Sequence, residues 1–216
     1  NKRPQDWKNR STVYVCGQSY SGELGVGNSY RDTPVISPIF SDFNPTFIYF
    51  AEAVAFLINE MGSVYSLGSA TNYQIGVHTS NDIRIIDEPV EVNFNEAPIT
   101  KIVSSKNCYG TLFCCAISSC GKVFSWGNGS DGTLGHGDNR NHATPKQISA
   151  LENHFIVDIC CSEEFCAALS SSGQLFYWGS LHSSRNVNIP TLITTLEGIY
   201  GISCSSSYIL ATTNKG

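Results

Sequence analysis

Two short constellations in this chain of 216 residues have the residue types and spacing of chemical sites. Within "VFSWGNGSDGTLGHGDNRNHATPKQI", Val123 to Ile148, the stretch Gly127 to Gly132 reads G-x-G-x-x-G. That string holds a pyrophosphate when it opens a helix whose N-terminal amides face the anion. The residues that follow, "TLGHGDNRN", are too rich in glycine and turn formers to continue as a helix. The string therefore reads as a turn, in which Gly127, Gly132, Gly135 and Gly137 supply positive φ or close backbone approach. His136 and His142, with Asp138 between them, could offer donors to a cation. No further soft ligands stand nearby at metal-site spacing, and C-x-x-C is absent from the sequence, so no metal centre is expected. A nucleophilic cysteine would need a neighbouring base, and none can be assigned. G-x-S-x-G, Walker A and H-E-x-x-H do not occur. The expectation is a chain without covalent catalysis, cofactor or metal.

The elements that position these residues recur. "TVYVCGQSYSGELGVG", "GSVYSLGSATNYQIGVH", "GKVFSWGNGSDGTLGHG" and "GQLFYWGSLHSSRN" each run alternating apolar residues into a glycine, at Gly17, Gly68, Gly127 and Gly179. A proline follows in every unit: Pro34, Pro89, Pro145 and Pro190. Three units then show an I-x-x-I-type strand ("ITKIVSS", "FIVDICC", "IYGISCS"), with "FIYFA" in that place in the first. A small-residue strand closes each unit: "VAFLINEMG", "CCAISSCG", "CAALSSSG" and "ILATTNKG". Alternating Val, Ile, Phe, Tyr and Trp mark strands, and Gly, Asn, Ser and Asp clusters mark turns. Four strands per unit of about 50 residues predict an all-β chain of β-propeller blades. The units divide as a polar, basic lead-in at 1–11, then repeats at 12–61, 62–120, 121–172 and 173–216, the last with a shortened loop.

The third unit, "GKVFSWGNGSDGTLGHGDNRNHATPKQI", closely resembles the repeat of the regulator of chromosome condensation family, and the resemblance extends over residues 12 to 216. It implies blades of a seven-bladed propeller. Family members carry G-x-x-H-[ST] in the last strand of a unit; here the histidine position holds Val54, Phe113, Phe165 and Tyr208, and the glycine survives only as Gly110. The turn between the closing strand of one unit and the opening strand of the next reads as a hairpin inside one blade. The chain starts and stops inside that hairpin, so the expectation is an arc of a larger propeller, with a closed four-bladed ring as the alternative.

Composition narrows the partners. Charged residues make up 14% of the chain, against about 25% in ordinary globular proteins. The net charge of −5 argues against non-specific binding to nucleic acid or an anionic membrane. The most apolar stretch, Phe47 to Ile58, is too short for a span and carries Glu52. The nine cysteines are odd in number and lack the spacing of a disulfide scaffold, which favours a reducing compartment, cytoplasm or nucleus; Cys16, Cys114, Cys161, Cys166 and Cys204 fall on repeat positions and read as small buried hydrophobes. Function on such a scaffold sits in loops. The long connections after the first strand of each unit, Gln18 to Thr33, Ser69 to Glu88 and Asn128 to Thr144, carry Tyr20, Glu23, Tyr30, Arg31, Asp32, Tyr73, Asp82, Asp131, Asp138, Arg140 and His142. Aromatic residues and arginine are favoured interface anchors. The expected function is a non-enzymatic platform for a protein partner, a small GTPase or a larger assembly, with the rest of a propeller or a covering chain against its open edge. The resemblance implies one alternative, guanine-nucleotide exchange on a small GTPase of the Ran type. It also implies a third setting, a propeller within a larger protein such as a HECT-type ubiquitin ligase, a kinase or a ciliary protein.

Overall fold

The computed structural model describes residues 13–19, 22–24, 31–40, 45–51, 53–80, 83–95, 98–105, 112–180 and 186–213. The alternating segments form sixteen strands among these residues, all paired antiparallel. Strands β3 (Pro45–Phe50), β4 (Val54–Asn59), β5 (Val64–Ser69) and β6 (Ile85–Val92) make one four-stranded blade in that order. Strands β7 (Ile99–Ser104), β8 (Phe113–Ser118), β9 (Val123–Gly127) and β10 (His142–Gln147) make the next. A third follows from β11 (Ile156–Cys161), β12 (Phe165–Ser170), β13 (Leu175–Gly179) and β14 (Val187–Ile193). Two half-blades flank them: β1 (Val13–Ser19) with β2 (Arg31–Phe40), and β15 (Ile199–Cys204) with β16 (Ile209–Thr213). Among the described residues these halves stand as two separate two-stranded sheets, unpaired with one another.

Each repeat of the sequence therefore gives two strands to one blade and two to the next. The joint is a tight hairpin with glycine in the left-handed region, at Gly62, Gly121 and Gly173. The same bond pattern recurs: the amide of Asn59 donates to Ser63, of Ser118 to Lys122 and of Ser170 to Gln174, at 3.1, 3.0 and 2.9 Å. Pro89, Pro145 and Pro190 lie in β6, β10 and β14, the edge strands, where a missing N–H leaves no ladder bond unmade.

Packing runs from blade to blade. Every residue of β8 and of β12 is buried. Neighbouring blades meet along β3, β7, β11 and β15, which places these strands innermost. The indole of Trp126 donates to the carbonyl of Gln74 in the preceding unit at 2.9 Å, and Trp178 repeats this on Thr133 at 2.9 Å. Phe56 and Phe94 pack edge-on against Trp126, with ring centroids 5.7 and 5.6 Å away. The glycines of the L-G-x-G and I-G turns make room for this. A Cβ on Gly76 would meet the Trp126 indole at 3.0 Å, and one on Gly135 would meet Trp178 at 3.1 Å. Lys101 on β7 pairs with Asp158 on β11 across the same seam. The Cys160–Cys204 disulfide joins β11 to β15, a correction to the reading of the cysteines as small buried hydrophobes only. The two partners stand 44 apart in sequence, a separation that spacing rules cannot match.

Candidate functional site: the loop cleft between the second and third repeats

The loops after β5 and β9 emerge from the same end of neighbouring blades. They are held there by the repeat glycines. Gly68, Gly127 and Gly179 have φ of 118°, 100° and 100°. A Cβ on any of them would strike the backbone carbonyl of Ala53, Leu112 or Glu164. The residue after each glycine donates its amide to that same carbonyl, at 2.7, 3.0 and 2.8 Å. Each glycine thus sits at the end of its strand, last in β9 and β13 and last but one in β5, and aims the loop. Directly opposite stand Val54, Phe113 and Phe165, all buried, at the position where the family repeat has histidine.

Between the two loops lies an open cleft of about 720 Å³, lined by Tyr73, His78 and Thr79 from one side and by residues 139–144 from the other. Tyr73 has a left-handed backbone, φ 64°, and is exposed. The turn beneath it is tied by Gly76 donating to the Tyr73 carbonyl at 3.2 Å and by the Asn72 amide donating to Gln74 Oε1 at 2.8 Å. A smaller cleft shares Tyr73 and Thr79 and continues along Ala70, Ile83 and Arg84.

The far wall is braced from beneath. After Gly127 the chain makes only a short 3-10 turn, Ser130–Gly132, with Asp131 at φ 59°. The Thr133 hydroxyl closes it by donating to the Asn128 carbonyl at 2.9 Å. The next blade props it: Asn186 donates to the Asp131 carboxylate at 2.8 Å, and Asn188 donates to the Gly137 carbonyl at 2.9 Å. Asp138 accepts the Arg140 amide at 3.1 Å, which holds its carboxyl below the usual range. The hydroxyl of Ser125 donates to the Leu134 carbonyl at 2.6 Å, so its oxygen is left to accept from His136 Nε2 at 3.0 Å. The rings of His136 and His142 meet edge to face, with centroids 4.9 Å apart. Burial, with Lys146 and His142 nearby, lowers the His136 pKa to about 4, and burial also lowers that of His142. Both rings are neutral at pH 7. The buried Nε2 of His142 has no hydrogen-bond partner among the described residues.

The structure thus gathers Tyr73, Arg140 and His142 at one cleft. Asp131 and Asp138 serve the loop behind it, and Glu23 lies at the separate turn after β1. Tyr20, Tyr30 and Asp82 lie outside the described residues, and Arg31 and Asp32 are described by backbone only. The last two, with His142, open strands β2 and β10 and are not loop residues. The expected connections therefore end earlier than Thr33, Glu88 and Thr144 suggest, because strand pairing begins before the proline. Sequence reasoning missed His78 and Thr79, which carry no anchor signal of their own. It also missed a cluster of three buried thiols, Cys115, Cys161 and Cys166, whose sulphurs all lie within 4.8 Å of one another. Those residues come from three strands, and only the fold brings them together.

Residues 120–169 match the model of the regulator of chromosome condensation (RCC1) repeat. Over 96% of its length the chain is 31% identical to the E3 ubiquitin-protein ligase HERC2 of Mus musculus, of which it covers 4%. It is 27% identical over 92% of its length to the Protein RCC2 homolog of Danio rerio, of which it covers 45%. The crystal structure of Prp20p from Saccharomyces cerevisiae superposes with a TM-score of 0.73 at 21% identity, over 95% of this chain and 52% of that one. The chain spans less than half the length of the two relatives matched by sequence. The blades with their tryptophan–carbonyl seams are those of a β-propeller, and this is an RCC1-like repeat protein. Among the described residues no helix is long and apolar enough to cross a membrane.

Proposed function

We propose that this propeller arc is a non-enzymatic platform that seats a protein partner in the cleft between its second and third loops. The observation that carries this reading is the pairing of exposed Tyr73 with Arg140 across a cleft of about 720 Å³ on a rigidly braced rim. Tyrosine and arginine are, with tryptophan, the side chains enriched among the few that dominate binding: the ring buries much area with little rotamer freedom, and the guanidinium offers a planar fork of donors. The cleft is open and solvent-facing, which suits a protruding side chain of a partner better than an enclosed small molecule. Prp20p, whose propeller superposes on this one, has binding properties to Gsp1p and histones, which supports a protein as the class of partner here.

Guanine-nucleotide exchange on a Ran-type small GTPase is the alternative that the family resemblance carries. Affinity purification with the wild type and with Tyr73→Ala/Arg140→Ala, run beside an assay of labelled-nucleotide release from a Ran-type GTPase, separates the two. The platform reading expects specific partners lost in the double variant, each truncation weakening binding about tenfold or more, with nucleotide release unchanged. Accelerated release would establish exchange. Partners retained by the double variant would move the interface to another surface.

A further inference from the structure

The sulphurs of Cys115, Cys161 and Cys166 meet at the seam between the second and third full blades. Cys166 Sγ lies 3.1 Å from Cys161 Sγ and 3.8 Å from Cys115 Sγ, and the three lie within 4.8 Å of one another. Cys115 comes from β8 of one blade, Cys161 and Cys166 from β11 and β12 of the next. All three are buried, in a core that includes Phe113, Leu134 and Trp178. Three sulphurs bound to one ion at about 2.3 Å would stand roughly 4 Å apart, so small shifts from the observed spacing suffice.

The repeat supplies an internal comparison. At the seam before this one, the positions equivalent by register are Phe56, Ser104 and Cys114. At the seam after it they are Ala167, Cys204 and Ile209. At those two seams the three positions are filled by a phenyl ring, a serine, aliphatic side chains and one cysteine each, and no position is cysteine at both. The architecture does not require a thiol at any of the three positions, yet here all three carry one.

The geometry points to a three-sulphur site for a soft, low-coordinate cation of the cuprous type, stapling two blades together. Thiolate sulphur selects soft ions. Zinc in a closed structural site takes four ligands, and no fourth histidine, cysteine or carboxylate among the described residues joins the cluster. The seam is apolar, so a monovalent ion is the least costly charge to bury, and a single thiolate neutralises it. Cys115 is the one sulphur contributed by the other blade, so its bond to the ion is the one that crosses the seam. This inference stands apart from the loop cleft and does not depend on it.

The test titrates reduced protein with cuprous copper buffered by bicinchoninate, without oxygen. The other cysteines outside the cluster, except Cys114, are replaced by serine. One ion per chain is expected, with near-ultraviolet sulphur-to-copper absorption. Cys115→Ala should weaken binding by at least about tenfold, since even outer-shell changes at metal sites cost that much. Cys114→Ala, at the neighbouring seam, should leave it unchanged. In case the serine background does not fold, copper added to the unsubstituted protein should shield Cys115, Cys161 and Cys166 from alkylation in mild urea while exposed Cys120 stays reactive. Equal affinity of Cys115→Ala and its parent, or alkylation at one rate with and without copper, overturns the site. Zinc held as tightly as copper overturns the low-coordinate assignment.

Discussion

At the scale of single residues, His136 and His142 show how a loop acquires a pH response without being a catalytic site. Both rings are held neutral, chiefly by burial. The unfolded chain binds a proton near pH 6.5, while folded His136 resists until about pH 4. Protons therefore favour the unfolded state between those values. The contribution of His136 to stability is fully present above about pH 6.5 and is lost as the pH falls toward 4. Urea midpoints measured at pH 7.5 and 5 should drop for the wild type. His136→Asn should drop less, because it removes the larger of the two titrations while keeping a side chain that can donate to Ser125. An equal drop in both proteins would assign the response elsewhere. Tyr73 and Arg140 are different in kind: their backbones are shaped by the turn, and their side chains are offered outward.

At the scale of elements, the repeat glycines matter more than any loop side chain. Gly179→Ala places a methyl against the Glu164 carbonyl in a backbone with φ of 100°. Its cost should be about 2 kcal/mol or more, read as a lower urea midpoint with an unchanged slope. The same change at Ser180, one position on, should cost under about 0.5 kcal/mol in side-chain terms. The glycines, the edge prolines and the tryptophans were legible in the sequence because each answers a local demand: positive φ, a missing donor, a large apolar body with one N–H. The Trp126 and Trp178 bonds to the previous unit were not, since spacing within a unit says nothing of which carbonyl a neighbouring blade presents. The cleft was half legible for the same reason. Tyr73, Arg140 and His142 stood out by type, but only the antiparallel pairing of β5–β6 and β9–β10 shows that they share one rim.

At the scale of the molecule, three full blades lie between two halves, and the Cys160–Cys204 bridge ties the terminal half to its neighbour. The loop it closes, with a sequence separation of 44, implies about 2–4 kcal/mol of stabilisation through restriction of the unfolded chain. Cys160→Ser/Cys204→Ser should lower the denaturant midpoint accordingly. Limited proteolysis should then cut first between 199 and 213, where Tyr200, Tyr208 and Leu210 are exposed and the sheet has only two strands. Unchanged midpoint and cutting pattern would show that blade packing alone holds that end.

The offset between repeat and blade has a genetic consequence. The joints at Gly62, Gly121 and Gly173 are hairpins of one geometry, with the residue three places before each glycine accepting its amide at 2.9, 2.9 and 3.0 Å. A recombination event that joins one such hairpin to another deletes or duplicates a whole unit. Every blade at the new junction is still assembled from two complete halves. Crossing over at these glycines therefore changes the number of blades without creating a defective one, the blade at the junction being a hybrid of two complete halves.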